Sequence, residues 1–262
     1  MLADPLPSPY GALLFHPLAP WLRRLPAGPD AEAVERLAAT AGLSTHSGRS
    51  LSFVAPRDDG LAYEQRIWER GEVETRRNNW HDFFNALVWL AFPRAKAALN
   101  ARHVQEMASA GQGRGRARDA MTHFDECGLV VVAHNPVLLD LMRNFQWKAL
   151  FWEHRDEVRK DMAFFIFGHA TYEQLLAPFR GLTAKAVLRE VGAGWLESPA
   201  DWQLADLDGW LAAGFAAGRH GSPQELQPVP LLGIPGLTPD SETAGYYDDA
   251  WQFRPGRRVK GV

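Results

Sequence analysis

Asn78-Asn79-Trp80-His81-Asp82-Phe83-Phe84-Asn85-Ala86-Leu87-Val88-Trp89 is the stretch from which the rest of the chain can be read. Phe84, Leu87, Val88 and Ala91 recur at the three-and-four spacing of a buried helical face. Asn79 has the residue type and position of an N-cap. Asp82 is then the third helical residue, where a carboxylate meets free amides and the positive end of the helix dipole. Capping accounts for Asp82 but not for His81, an imidazole on the same turns as Asn85. Side chains with nitrogen and oxygen lone pairs beside an apolar core are what a metal centre or a general base needs.

Working outward, Pro93 breaks this helix and Arg94–Met107 continues as a second one. Upstream, Asp30–Ala41 reads as a helix stopped by Gly42, and Ser50–Ala55 as a short strand. Ala62–Trp68 and Val73–Arg76 read as a hairpin turning at Glu69-Arg70-Gly71-Glu72. Residues 1–29 form a proline-rich arm with apolar anchors and a short helix at Leu18–Leu25. Gly111–Arg118 carries glycine at alternate positions and three arginines, which predicts a mobile loop able to grip phosphate, or else a loop that its charge merely keeps solvated.

Downstream, Asp119, Asp125 and Glu126 bracket Thr122 ahead of a buried strand, Leu129–Ala133. Pro136–Phe145 and Trp147–Arg159 are expected to be helical. The longest helical pattern is Lys160–Leu176. Within it His169 and Glu173 stand four residues apart, so the carboxylate can orient the imidazole or share a metal. Gly168 before His169 would admit a close neighbour, for which the His81 helix is the candidate. Ala184–Val191 is a short helix or strand and Asp206–Arg219 a further helix. Residues 223–262 are expected to be an irregular strap over the body, because Pro228, Pro230, Pro235 and Pro239 oppose regular structure.

With 46% hydrophobic residues among 262, one domain with a substantial core is expected over 1–262. Twenty-eight basic residues against thirty-one acidic ones leave a net charge of -3, which argues against a whole-surface attraction to nucleic acid or an anionic membrane. One cysteine, Cys127, excludes an intrachain disulfide and fits a reducing compartment; a lone thiol of this kind is a poor nucleophile candidate. The first residues lack a signal-peptide pattern, and no run of about 18 apolar residues exists, so a soluble cytoplasmic protein is expected. The fold expected is α+β, predominantly helical, with a small antiparallel or mixed sheet from residues 50–76 and 129–133.

Tyr63-Glu64-Gln65-Arg66-Ile67, Asn79 through Trp89, Pro93, Lys96 and Asn100 form an ordered set of motifs with Arg118 through Glu126, Phe167-Gly168-His169-Ala170, Pro230 through Gly236 and Tyr247-Asp248-Asp249. From about residue 50 to 255 this set resembles the bacterial family catalogued as domain of unknown function 3025. The resemblance implies a soluble, mostly single-domain protein of proteobacterial type and carries no assigned reaction.

On the residues themselves, the favoured function is a metal-dependent hydrolase acting on a small-molecule or phosphate-bearing substrate such as a phosphodiester. His81, Asp82, His169 and Glu173 are its candidate ligands, with Asp119, Asp125, His169 and Glu173 as candidate catalytic groups. Asn85, Arg66, Arg76 and Lys96 are its candidate substrate contacts. Mixed histidine and carboxylate ligation suits zinc, manganese or iron. A His81–His169 separation beyond about 8 Å would exclude a shared ion. The alternative readings are a non-catalytic binding or assembly protein whose polar helices form a buried network, and a metal-free acid–base enzyme built on a His169–Glu173 dyad.

Overall fold

The computed structural model describes residues 11–109 and 115–256. Two single-turn helices, α1 (Gly11–Leu14) and α2 (Ala19–Leu22), are followed by α3 (Ala31–Ala41). Next come β1 (Ser52–Val54), α4 (Tyr63–Arg70), β2 (Glu72–Glu74), α5 (Trp80–Ala91), α6 (Pro93–Ser109) and α7 (Arg116–Cys127). The second half comprises β3 (Gly128–Ala133), α8 (Pro136–Arg143), α9 (Arg155–Asp161), β4 (Met162–Ile166), α10 (His169–Gln174), β5 (Thr183–Glu190), α11 (Ala200–Ala216) and β6 (Gln227–Pro230). The architecture is α+β and predominantly helical, with two small sheets instead of one.

Helix α5 forms where its pattern places it. The Asn79 side chain accepts the Asp82 amide at 2.9 Å, and every residue from Asp82 to Ala91 is buried. Phe92 ends the helix and Pro93 opens α6, whose free amides at Arg94 and Ala95 donate to the Asp208 carboxylate of α11 at 3.2 and 2.8 Å.

The larger sheet has strand order β4-β3-β5-β6. Strand β3 lies antiparallel to β4 and parallel to β5, and all six of its residues are buried. A strand buried on both faces reads as a continuous apolar run, as Leu129–Ala133 does. The smaller sheet is a parallel pair, β1 with β2, joined through α4.

Four local expectations are corrected. Ala62–Arg76 is not a hairpin. Tyr63, Arg66 and Ile67 turn inward at helical spacing, and Gly71 at φ 73° is a helix C-cap whose amide donates to the Ile67 carbonyl at 2.9 Å. Lys160–Leu176 is not one helix, because Met162–Ile166 pairs along β3 and interrupts it. That aromatic and β-branched run suits a pleated surface better than a helix interior. Residues 223–256 are not wholly irregular, since Gln227–Pro230 pairs antiparallel with β5. Its two prolines are tolerated because β6 is an edge strand. Finally, Arg116–Arg118 opens α7 instead of continuing a loop, with Arg116 donating to Gln224; residues 111–114 of that expected loop lie outside the described residues.

Leu14, Phe15 and Leu18 from the N-terminal segment and Leu231, Ile234, Tyr247 and Phe253 near the other end are buried in the same core cluster. No described helix is long and apolar enough to cross a membrane.

Candidate metal centre

Helix α10 packs against both α5 and α7, which brings three separated segments to one point. His81 stands at the second position of α5, Glu126 near the C-terminal end of α7, and His169 at the first position of α10. Gly168 makes this approach possible. A Cβ at that position would lie 2.3 Å from the Gly128 amide nitrogen and 2.4 Å from Cys127 Cα, both rigid backbone. The close neighbour is therefore the end of α7, not the His81 helix expected from the sequence.

Among the described residues, one group of three histidine, cysteine or acidic side chains converges on a common point: His81, Glu126 and His169, whose ligand atoms all lie within 4.8 Å of one another. The two Nε2 atoms are 2.9 Å apart. Glu126 Oε2 is 3.8 Å from that of His81 and 3.6 Å from that of His169. Nitrogen ligands about 2.0–2.1 Å from a tetrahedral zinc ion would be separated by about 3.3 Å, so these spacings bracket what one ion requires.

Each imidazole is backed by a carboxylate. His81 Nδ1 is 3.1 Å from Glu173 Oε2, and His169 Nδ1 is 3.8 Å from Asp125 Oδ2 and has no hydrogen-bond partner. For His81, an N–H facing Glu173 on the δ side leaves a lone pair on Nε2, the arrangement that metal-ligating histidines adopt. Burial pushes His169 down to about 3, with Asp125 opposing and Lys96 and His81 adding to the shift, so the ring is neutral and able to ligate. Burial also raises Glu126, against the pull of His81.

A buried hydrogen-bonded series runs beneath the three ligands. Lys96 Nζ donates to Asp125 Oδ1 at 2.5 Å and to Asn85 Oδ1 at 2.9 Å, and Asn85 Nδ2 donates to the Tyr63 hydroxyl at 2.8 Å. Asp125 is itself surrounded by protein, which would raise it, but the Lys96 ammonium holds it below the usual carboxylate range. Above the ligands opens a cleft of about 220 Å³, walled by Tyr63 and Glu64 of α4, Arg76, Asn85 of α5 and His103 of α6. The Glu64 carboxyl accepts from Asn100 Nδ2 at 2.6 Å, and burial raises it to about 7.

The remaining sequence candidates fall elsewhere. Asp82 is not part of the cluster; both its oxygens are taken by Arg76, at 2.8 Å from Nε, 2.9 Å from Nη2 and 2.7 Å from the backbone amide. Glu173 backs His81 across the helices, so the dyad expected within α10 forms instead between α10 and α5. Asp119 sits in the first turn of α7 and does not line the cleft. Arg66 also stands outside the lining; it is fully buried and holds Asp59, Glu72 (2.9 Å) and Glu74 (3.1 Å). Arg76 reaches the rim and Lys96 lies below the floor, each already paired with an aspartate. Glu126 and Glu64 are the additions. Glu126 stands in the sequence as half of an acidic doublet ahead of a buried strand, and the strand expected at Ala62–Trp68 conceals Glu64.

No curated protein and no solved structure matches the chain. A family model does match, over residues 51–257, and it spans every side chain of this centre. The chain accordingly belongs to the family described as "Protein of unknown function (DUF3025)".

Proposed function

We propose that this protein is a metal-dependent hydrolase in which His81, Glu126 and His169 hold one divalent cation and the cleft above them receives the substrate. The observation that carries the reading is the convergence of two imidazole nitrogens and one carboxylate oxygen, with a carboxylate behind each ring. Two histidines and one carboxylate suit zinc, manganese or iron(II), and a set of three protein ligands leaves a position for water or substrate. A cation held there would supply Lewis acidity, polarising the bond to be cleaved and making a water molecule more acidic. Glu173 and Asp125 would orient the two rings, and Lys96 would keep Asp125 ionised.

Metal analysis by mass spectrometry on tag-free protein tests this. The expected result is close to one equivalent of a transition metal after loading, lost in His81→Ala, Glu126→Ala and His169→Ala variants that remain folded. Asp82→Asn should retain it. Failure to load zinc, manganese or iron would sink the proposal. It would favour a non-catalytic binding protein, a reading supported by the buried Lys96–Asn85–Tyr63 series serving as a structural network.

A further inference from the structure

The protons of the series beneath the cleft have only one possible order. An ammonium group donates and never accepts, so the atom of Asn85 facing Lys96 is its carbonyl oxygen. The amide nitrogen of Asn85 then faces Tyr63, and being a donor it makes the phenol oxygen an acceptor. The Tyr63 hydroxyl hydrogen therefore points away from Asn85, and Tyr63 lines the cleft. The direction of donation is Lys96 to Asn85 to Tyr63, and each bond polarises the next.

Three cations around the cleft are committed to carboxylates. Arg76 is held in a fork by Asp82, Lys96 by Asp125, and Arg66, itself outside the lining, is gripped by Asp59, Glu72 and Glu74, the last of which lines the cleft. Arg118 acts on Glu64 electrostatically but does not line the cleft. A divalent cation would be offset by Glu126 and Glu173. Sites that transfer phosphoryl groups clamp them with uncommitted arginine, lysine or additional metal, whereas the described lining holds one arginine, Arg76, already committed to Asp82, and no lysine.

Resting on the metal-centre reading, we infer that Tyr63 donates a hydrogen bond to a carbonyl oxygen in the cleft, and that the substrate is a small uncharged acyl compound, an ester, lactone or amide, in place of the phosphodiester suggested by the sequence. In the reaction, a water oxygen forms a bond to the carbonyl carbon while the bond to the leaving oxygen or nitrogen breaks. One water proton passes to that leaving atom, giving an acid and an alcohol or amine. Tyr63 meets the charge that develops on the carbonyl oxygen.

The test uses the full-length protein loaded with cobalt(II), whose visible spectrum reports ligands arriving at the ion. γ-Butyrolactone and diethyl phosphate, one neutral and one anionic, are titrated as probes, and turnover of 4-nitrophenyl acetate is followed beside bis(4-nitrophenyl) phosphate. The lactone should perturb the spectrum at concentrations at least tenfold below those needed for diethyl phosphate. Tyr63→Phe should keep the cobalt stoichiometry and the unliganded spectrum while lowering kcat for the acetate ester about 10²-fold with little change in KM. Tighter binding of diethyl phosphate, faster cleavage of the phosphodiester, silence towards both probes, or an unaltered Tyr63→Phe enzyme would each overturn the inference with the metal centre left standing. Failure to bind cobalt at all would remove both.

Discussion

The cleft is bounded by two regions held together in opposite ways. Its floor, formed by α5, α7 and α10, rests on apolar contact: Phe84, Leu87, Val88, Phe124, Phe167 and Tyr172 are fully buried, and Phe84 stacks on Tyr172 at 5.6 Å. Its wall, formed by β1, α4 and β2, contributes Phe53, Ile67 and Val73 to the core, but its centre is Arg66 and the three carboxylates around it. Apolar packing is non-directional and indifferent to pH. Ion pairs and hydrogen bonds are directional, and a buried one fails badly when one partner is lost. The ligands of the proposed centre sit on the floor, whereas Tyr63 and Glu64 sit on the wall. The contrast separates what would hold the metal from what would read the substrate.

The strongest attack on the floor is a cavity beneath the ligand-bearing helix. Phe84→Ala should cost about 3–5 kcal/mol in urea unfolding and reduce metal retention with it. The wall should show its character through pH. Glu64 binds its proton more tightly when folded, near 7 in place of the ordinary 4.5, so its contribution to stability is fully present below pH 4.5 and is lost as pH rises through about 7. Glu64→Gln should therefore gain about 2–3 kcal/mol over the native chain at pH 8 and little at pH 4, read as the shift in urea midpoint at the two pH values. Gly168→Ala should cost about 1–3 kcal/mol, since the new methyl group meets the backbone at Cys127 and Gly128. Its more telling effect is weaker metal binding by at least about tenfold, because His169 and Glu126 are pushed apart. Arg76→Ala should do least. Arg76 is half-exposed, and loss of its pair with Asp82 is expected to cost about 1 kcal/mol or less, with metal content unchanged.

The same contrast explains what was legible in the chain. Helix α5 could be read because its N-cap and its apolar period fall within one window of twelve residues. The wall could not, because the residue turned inward beside Ile67 is an arginine, and a buried arginine breaks the apolar pattern that would reveal a helix. Strand β4 looks helical in the sequence for a different reason: its partner β3 lies some thirty residues earlier, and pairing at that range overrides local periodicity. His81 and His169 stand out in the sequence as chemistry held in apolar settings, and the fold brings them together. Asp82 takes the place of Glu126 in a reading of the sequence, because an aspartate at a helix start looks the same whether it ligates or pairs with an arginine.

Arg66 has a consequence for any titration of this protein. A guanidinium keeps its charge at every pH at which proteins fold. Asp59, held by the Leu61 amide and by Arg66 and Arg70, stays ionised down to about 2. The clasp across the wall thus remains engaged throughout the interval in which Glu64 and ordinary histidines exchange protons. An acidity profile of ligand binding or turnover would then report groups inside an intact cleft, and a gate swinging open would not be among its causes.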